Sequence, residues 1–129
     1  MRAVQRLTAE DRVVLWADRS WPQDIGALLL LDGGPLLDRK GEVQIELVRT
    51  TIERRLHRVP RFRQVLHVPR RGLGWPLWVD DPSFRIEDHV RVLPVPAPGD
   101  EAQLLETIEQ LRRRRLDRTR PLWELWLLP

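Results

Sequence analysis

The chain has 129 residues, 42% hydrophobic and 32% charged, with a formal net charge of +3, a composition that suits one globular domain and excludes a disordered tail or a collagen. Its longest apolar run, Ile25 to Leu31, falls well short of the roughly 20 residues that span a bilayer as a helix. The absence of cysteine excludes disulfides, thiol nucleophiles and thiolate metal sites, and three isolated histidines form no zinc pattern, so no metal site is expected.

The N-terminal stretch MRAVQRLTAEDR has no apolar segment behind its positive charges, so a secretory signal is not expected and the location implied is cytoplasmic. Lys40 is the single lysine, and every other basic residue is arginine. Arg54, Arg55, Arg58, Arg61, Arg63, Arg70 and Arg71 fall in a stretch, 54–79, without an acidic residue. Arg112 to Arg115 with Arg118 and Arg120 form a second cluster, opposed locally by Asp117. Such patches attract the phosphates of a coenzyme, a lipid surface or nucleic acid. GC-rich coding explains the arginine bias equally well.

In chain order, Thr8 followed by Asp11 predicts a helix start, with Val14, Leu15 and Trp16 on the buried side and Trp21-Pro22 ending the pattern. Ile25 to Leu31, closed by Asp32-Gly33-Gly34-Pro35, reads as a central strand buried on both faces. Ile45, Val48, Ile52, Leu56 and Val59 lie at helical spacing over 43–59, and Pro60 stops that helix. Gln64 to Val68 and Leu77 to Val79, joined through Pro69 to Gly74, predict a hairpin. His89 to Leu93 predicts a further strand, and Pro94, Pro96, Pro98 and Gly99 a stiff connector.

The next helix is expected from about Asp100 to Leu116, with acids toward its start and arginines toward its end, as the helix dipole favours. Residues 121 to 129, with one charged side chain, read as a terminal strand whose free edge invites self-association. Strands and helices interleave, so the fold class is α/β in the layered α+β sense, a mixed sheet flanked by helices.

Five stretches, in order, resemble the amino-terminal part of the bacterial wax ester synthase/diacylglycerol acyltransferase family. They are Leu7-Thr8-Ala9-Glu10-Asp11, Pro22-Gln23-Asp24-Ile25-Gly26-Ala27-Leu28, Val59-Pro60-Arg61-Phe62-Arg63-Gln64, Trp78 to Phe84 leading into Asp88-His89-Val90-Arg91, and Leu116 to Glu124 with the element Pro121-Leu122-Trp123. The resemblance implies a partial chloramphenicol acetyltransferase-like lobe, with residues 1–129 ending before the family's catalytic HHxxxDG motif. The parent activity it implies is transfer of an acyl group from acyl-CoA, as substrate, to diacylglycerol or a long-chain alcohol, with no bound cofactor.

In that family the second histidine of the motif is taken as the base. None of His57, His67 and His89 has a histidine neighbour or a following aspartate-glycine pair, so no catalytic residue is assigned and the piece is expected to be inactive alone. Adjacent strand residues point to opposite faces, so Asp88 is not expected to orient His89, which reads as structural. Pro121, Leu122 and Trp123 read as a packing device. Trp16, Trp78, Trp123 and Trp126 read as core indoles, whereas Trp21, Gly26 and Trp75 are candidates for an acyl-tunnel wall or membrane contact.

The expected partners are the remainder of the same polypeptide and a membrane surface or lipid droplet at which the chain would sit peripherally. Self-association through the terminal strand is also expected. Two further readings stand beside this one: a basic module that binds nucleic acid or an anionic membrane, and a piece of a peptide-synthetase condensation domain. No recognised nucleic-acid motif supports the former.

Overall fold

Thr8 caps the first helix by accepting the Asp11 amide, while the Asp11 carboxylate accepts the Thr8 amide, a reciprocal pair that satisfies two orphan donors. That helix, α1 (Ala9–Ala17), follows a short strand, β1 (Val4–Arg6). The computed structural model describes residues 4–70 and 73–129. Arg71 and Gly72, which fall in the first arginine cluster and the expected hairpin loop, lie outside the described residues. The chain divides into two units, the first made of residues 1–25, 58–84 and 115–122 and the second of 26–57, 85–114 and 123–129.

In the first unit, β2 (Gln64–His67) and β3 (Leu77–Asp80) form the expected antiparallel hairpin, with Val65 opposite Val79. The strand β1 adds to the other edge of β3, giving the order β1-β3-β2. Gln64 is buried and donates from its amide to Asp80 Oδ1 at 3.1 Å, which ties the start of β2 to the end of β3. Leu7, leaving β1, is buried, and its amide donates to the Pro76 carbonyl just before β3.

In the second unit, α2 (Ile45–Glu53) is shorter than the predicted 43–59, and the chain tightens into a 3-10 turn at Leu56–Arg58, where Leu56 is buried and Val59 is not. The helix packs on the Gly34–Leu36 turn, on the Ile86–Asp88 turn and on β4 (Val90–Val92). The helix α3 (Glu101–Arg112) has Asp100 as its cap, accepting the Gln103 amide, and ends four residues before the predicted Leu116. The terminal segment forms a short strand, β5 (Leu125–Leu127), parallel to β4, with Val90 opposite Leu125.

The α/β class holds, with the strands divided between a three-stranded antiparallel sheet and this two-stranded parallel pair. Two sequence expectations do not hold. Ile25 to Leu31 forms no strand: Ile25 is 99% exposed and Leu30 83%. A strand buried on both faces needs neighbours, and none of the described residues pairs with this run. In α1, Trp16 is 73% exposed and Val14, at the cavity's rim, 51%, so of the three side chains expected in the core only Leu15 falls short of exposed. Among the described residues the buried core is formed by Leu7, Leu56, Ile86 and Val90, and Val90 is fully buried.

Candidate functional site

The Pro121-Leu122-Trp123 element leads into β5. Pro121 is buried, and the Trp123 indole stacks on His89 with centroids 4.7 Å apart and planes 17° apart. His89 is 3% exposed, and its Nδ1 lies 2.8 Å from the Trp123 carbonyl, an acceptor, so Nδ1 carries the proton that is donated. The His89 carbonyl accepts the Leu125 amide at 2.7 Å. One residue thus grips the chain twice as it enters the parallel pair. His57 and His67 are exposed.

Arg49, on α2, donates from Nε and Nη2 to the Val90 carbonyl at 3.1 and 3.0 Å, while its Nη1 meets Glu46 Oε1 at 2.6 Å. Residues 89, 91 and 93 of this stretch face β5, so the Val90 carbonyl points away from it and Arg49 closes that edge. No feature of the sequence pairs Arg49 with a residue 41 positions away.

Within the first unit lies an open cavity of about 220 Å³. Leu7, Leu15, Leu66, Trp78, Leu116 and Leu122 give it apolar walls, and Asp11, Asp18, Asp24, Arg115 and Arg118 line its polar side. Asp18 organises that side: it ion-pairs with Arg118, its carbonyl accepts Arg115 Nη1 at 3.2 Å, and its Oδ1 accepts the Gln23 amide at 2.8 Å. Sequence reading misses Asp18 because its partners lie about a hundred positions downstream. Trp78 lies under the Arg61 guanidinium at 4.3 Å, and its buried Nε1 has no hydrogen-bond partner among the described residues. Burial pushes the Arg61 guanidinium below its usual range, partly offset by Asp11. The lining has no histidine, so this cavity offers apolar volume and fixed charge rather than a general base.

The candidates from sequence are not gathered in one place. Leu122 lines the cavity, whereas Trp123 belongs to the second unit with His89. Trp21 stands 74% exposed just beyond α1, and Trp75 lies under the Arg12 guanidinium at 3.8 Å while remaining half exposed. A Cβ added at Gly26 would meet nothing within 4 Å.

The second arginine cluster is largely engaged within the chain: Arg113 with Glu109, Arg115 and Arg118 with Asp18, and Arg120 with Asp117. Asp117 accepts the Thr119 hydroxyl and amide, bonds that hold its carboxyl below the usual carboxylate range. Among the described residues no group of three His, Asp or Glu could hold a metal ion, and no helix is long and apolar enough to cross a membrane.

In fold, the chain is similar to the wax ester synthase/diacylglycerol acyltransferase from Marinobacter aquaeolei VT8, with a TM-score of 0.57 and 23% identity over 96% of this chain and 30% of that one. Residues 7–129 match the wax ester synthase/diacylglycerol acyltransferase catalytic domain, and the chain belongs to that family. It is 39% identical over 126 residues to a probable diacylglycerol O-acyltransferase, tgs3, of Mycobacterium tuberculosis, covering 97% of this chain and 45% of that protein. It is 42% identical over 122 residues to a second one from the same organism, tgs1, covering 95% of this chain and 24% of the relative. The chain therefore spans less than half the length of these curated relatives.

Proposed function

We propose that this chain is the opening part of an O-acyltransferase that makes triacylglycerol or wax esters from acyl-CoA, and that it does so only together with the further polypeptide its relatives possess. The observation that carries this reading is the family match over residues 7–129 in a chain without an HHxxxDG sequence. In the proposed reaction the acceptor hydroxyl attacks the thioester carbonyl, the C–S bond breaks, and the proton lost by the hydroxyl ends on the departing thiol. That step needs a base within hydrogen-bond reach of the hydroxyl and donors for the developing oxyanion. His89 is engaged with the Trp123 carbonyl and buried beside its ring, and Asp18 is held by two arginines, so neither is poised for it.

The exposed surface supports the need for a further part. The chain exposes 10376 Å², against about 7,100 Å² for a folded monomer of its mass. Much of the excess is apolar, the run from Ile25 to Leu31 foremost. The peripheral cytoplasmic location and the acceptor, diacylglycerol or long-chain alcohol, belong to the same proposal. Nothing in the comparisons favours a nucleic-acid module or a condensation domain instead.

The test is a chimera in which residues 7–129 replace the matching stretch of the Mycobacterium tuberculosis relative that is 42% identical. Transfer of labelled palmitate from palmitoyl-CoA to dioctanoylglycerol or hexadecanol is expected in the chimera and not in the 129-residue chain. A folded chimera without transfer, beside an active parent, overturns the assignment. Turnover by the 129-residue chain overturns the dependence on a further part.

A further inference from the structure

The helix α1 has two unlike sides. At 100° per residue, Asp11, Leu15 and Asp18 fall on one side, and all three line the cavity of the first unit. Arg12, Trp16 and Arg19 fall together about 100° further round the helix and are all exposed. Arg19 lies just past the helix in a turn that continues its winding, with the Arg19 amide bonded to the Trp16 carbonyl and the Trp21 amide to the Ala17 carbonyl. Of the acids nearby, Asp11 closes the cap with Thr8, Asp18 holds Arg118, and exposed Glu10 lies about 160° round the helix from Arg12. The stripe through Arg12, Trp16 and Arg19 is cationic, with an indole between the two arginines.

Trp75 extends the stripe, because its ring lies under Arg12 at 3.8 Å. Neither Arg12 nor Arg19 has a carboxylate within ion-pair distance among the described residues, unlike Arg115 and Arg118 of the same unit. Unpaired guanidinium groups beside exposed indoles match the interface of an anionic bilayer. There the ring occupies the boundary between headgroup and hydrocarbon, and arginine meets phosphate. An acidic protein surface would satisfy the charges but would leave Trp16 without an apolar medium.

We propose that the exposed face of α1 centred on Arg12, Trp16 and Arg19, with Trp75 beside it, docks this chain on an anionic lipid surface. The proposal deepens the acyltransferase reading by saying where the lipid is met. Its assay contains neither acyl-CoA nor acceptor, so its failure is distinct from failure of the chimera.

The experiment is sedimentation of the 129-residue chain with vesicles of pure phosphatidylcholine and with vesicles containing phosphatidylglycerol as well, followed also by tryptophan emission. Binding with a blue shift is expected on the anionic vesicles, and the variant carrying Arg12→Gln, Trp16→Ser and Arg19→Gln should bind at least about tenfold more weakly, since each basic residue near such a surface counts severalfold. These side chains are exposed, so circular dichroism should be unchanged. The variant carrying Arg54→Gln and Arg55→Gln removes the same charge elsewhere and should bind as the parent does.

Equal binding by the triple variant, equal binding to both vesicle types, or an equal loss in the Arg54/Arg55 variant overturns the proposal. So does oligomerisation without vesicles, seen in light scattering and abolished by the triple variant, which would give the face to a second copy.

Discussion

His89 shows how a titratable residue is turned to structure by its surroundings. Its ring is covered by Trp123 and its Nδ1 proton is given to the Trp123 carbonyl at 2.8 Å. Replacing it with alanine removes a hydrogen bond worth about 1 kcal/mol and a stacked contact of about 0.5–1.5 kcal/mol, and leaves a cavity. His89→Ala should therefore lower unfolding free energy in urea by about 2–4 kcal/mol, whereas exposed His57→Ala should change it by less than about 0.5 kcal/mol. Equal effects would contradict the clasp. Sequence alone reads His89 as structural because Asp88, its neighbour, would point to the opposite face of a strand, but the contact with Trp123 spans 34 positions and has no local signature.

Asp117 allows a check by pH. The Thr119 hydroxyl and amide bond the ionised carboxylate, so its pKa lies below that of an unfolded aspartate. Its contribution to stability is complete above the unfolded value and disappears as the pH falls through the lowered folded value. Carboxyl resonances should show Asp117 titrating below the ordinary aspartate range. Thr119→Ala should move that midpoint upward part of the way, because the amide donor stays. A midpoint unaffected by the substitution would mean that the Thr119 hydroxyl does not hold the carboxylate ionised.

At the scale of elements, α2 is fastened to β4 by Arg49 as well as by packing. Val90 is fully buried, and its carbonyl depends on the two Arg49 donors. Arg49→Met keeps the aliphatic stem and removes the donors, so the loss should be about 1.5–3 kcal/mol, read from denaturant midpoints. A change under about 0.5 kcal/mol, the ordinary surface value, would show that water replaces the guanidinium at no cost.

The helices are legible in the sequence because their signals are local: Thr8 with Asp11, and Asp100 with Gln103, are three residues apart. Ile25 to Leu31 misleads because an apolar run states only that a residue prefers burial, while a strand exists through its neighbours. Trp16 misleads for a related reason. A short helix with apolar groups on both sides does not declare which side the sheet will cover, and in α1 the cavity side is the one with Leu15 and Asp18.

For the whole chain, few apolar side chains are fully buried and the exposed surface is large for its mass. If further polypeptide completes it, the effect should appear in the chimera. Amides from Gly26 to Leu31 should exchange at the rate of open chain in the 129-residue protein, where Leu93 and Leu125 are protected by their bonds to Leu127 and His89. In the chimera the amides of 26–31 should become protected. Continued fast exchange there would leave the apolar run unexplained.

Sequence by itself determined the family, the α/β class and the places where helices start, because motif order, caps and turn residues act over a few positions or are compared directly. Tertiary structure alone decided that Asp18 gathers Arg115 and Arg118, that Arg49 closes the edge of β4, and that α1 turns Leu15 toward the cavity and leaves Arg12 and Trp16 exposed. The pairings depend on side chains many residues apart competing for the same few partners, and only the folded chain settles which of them meet.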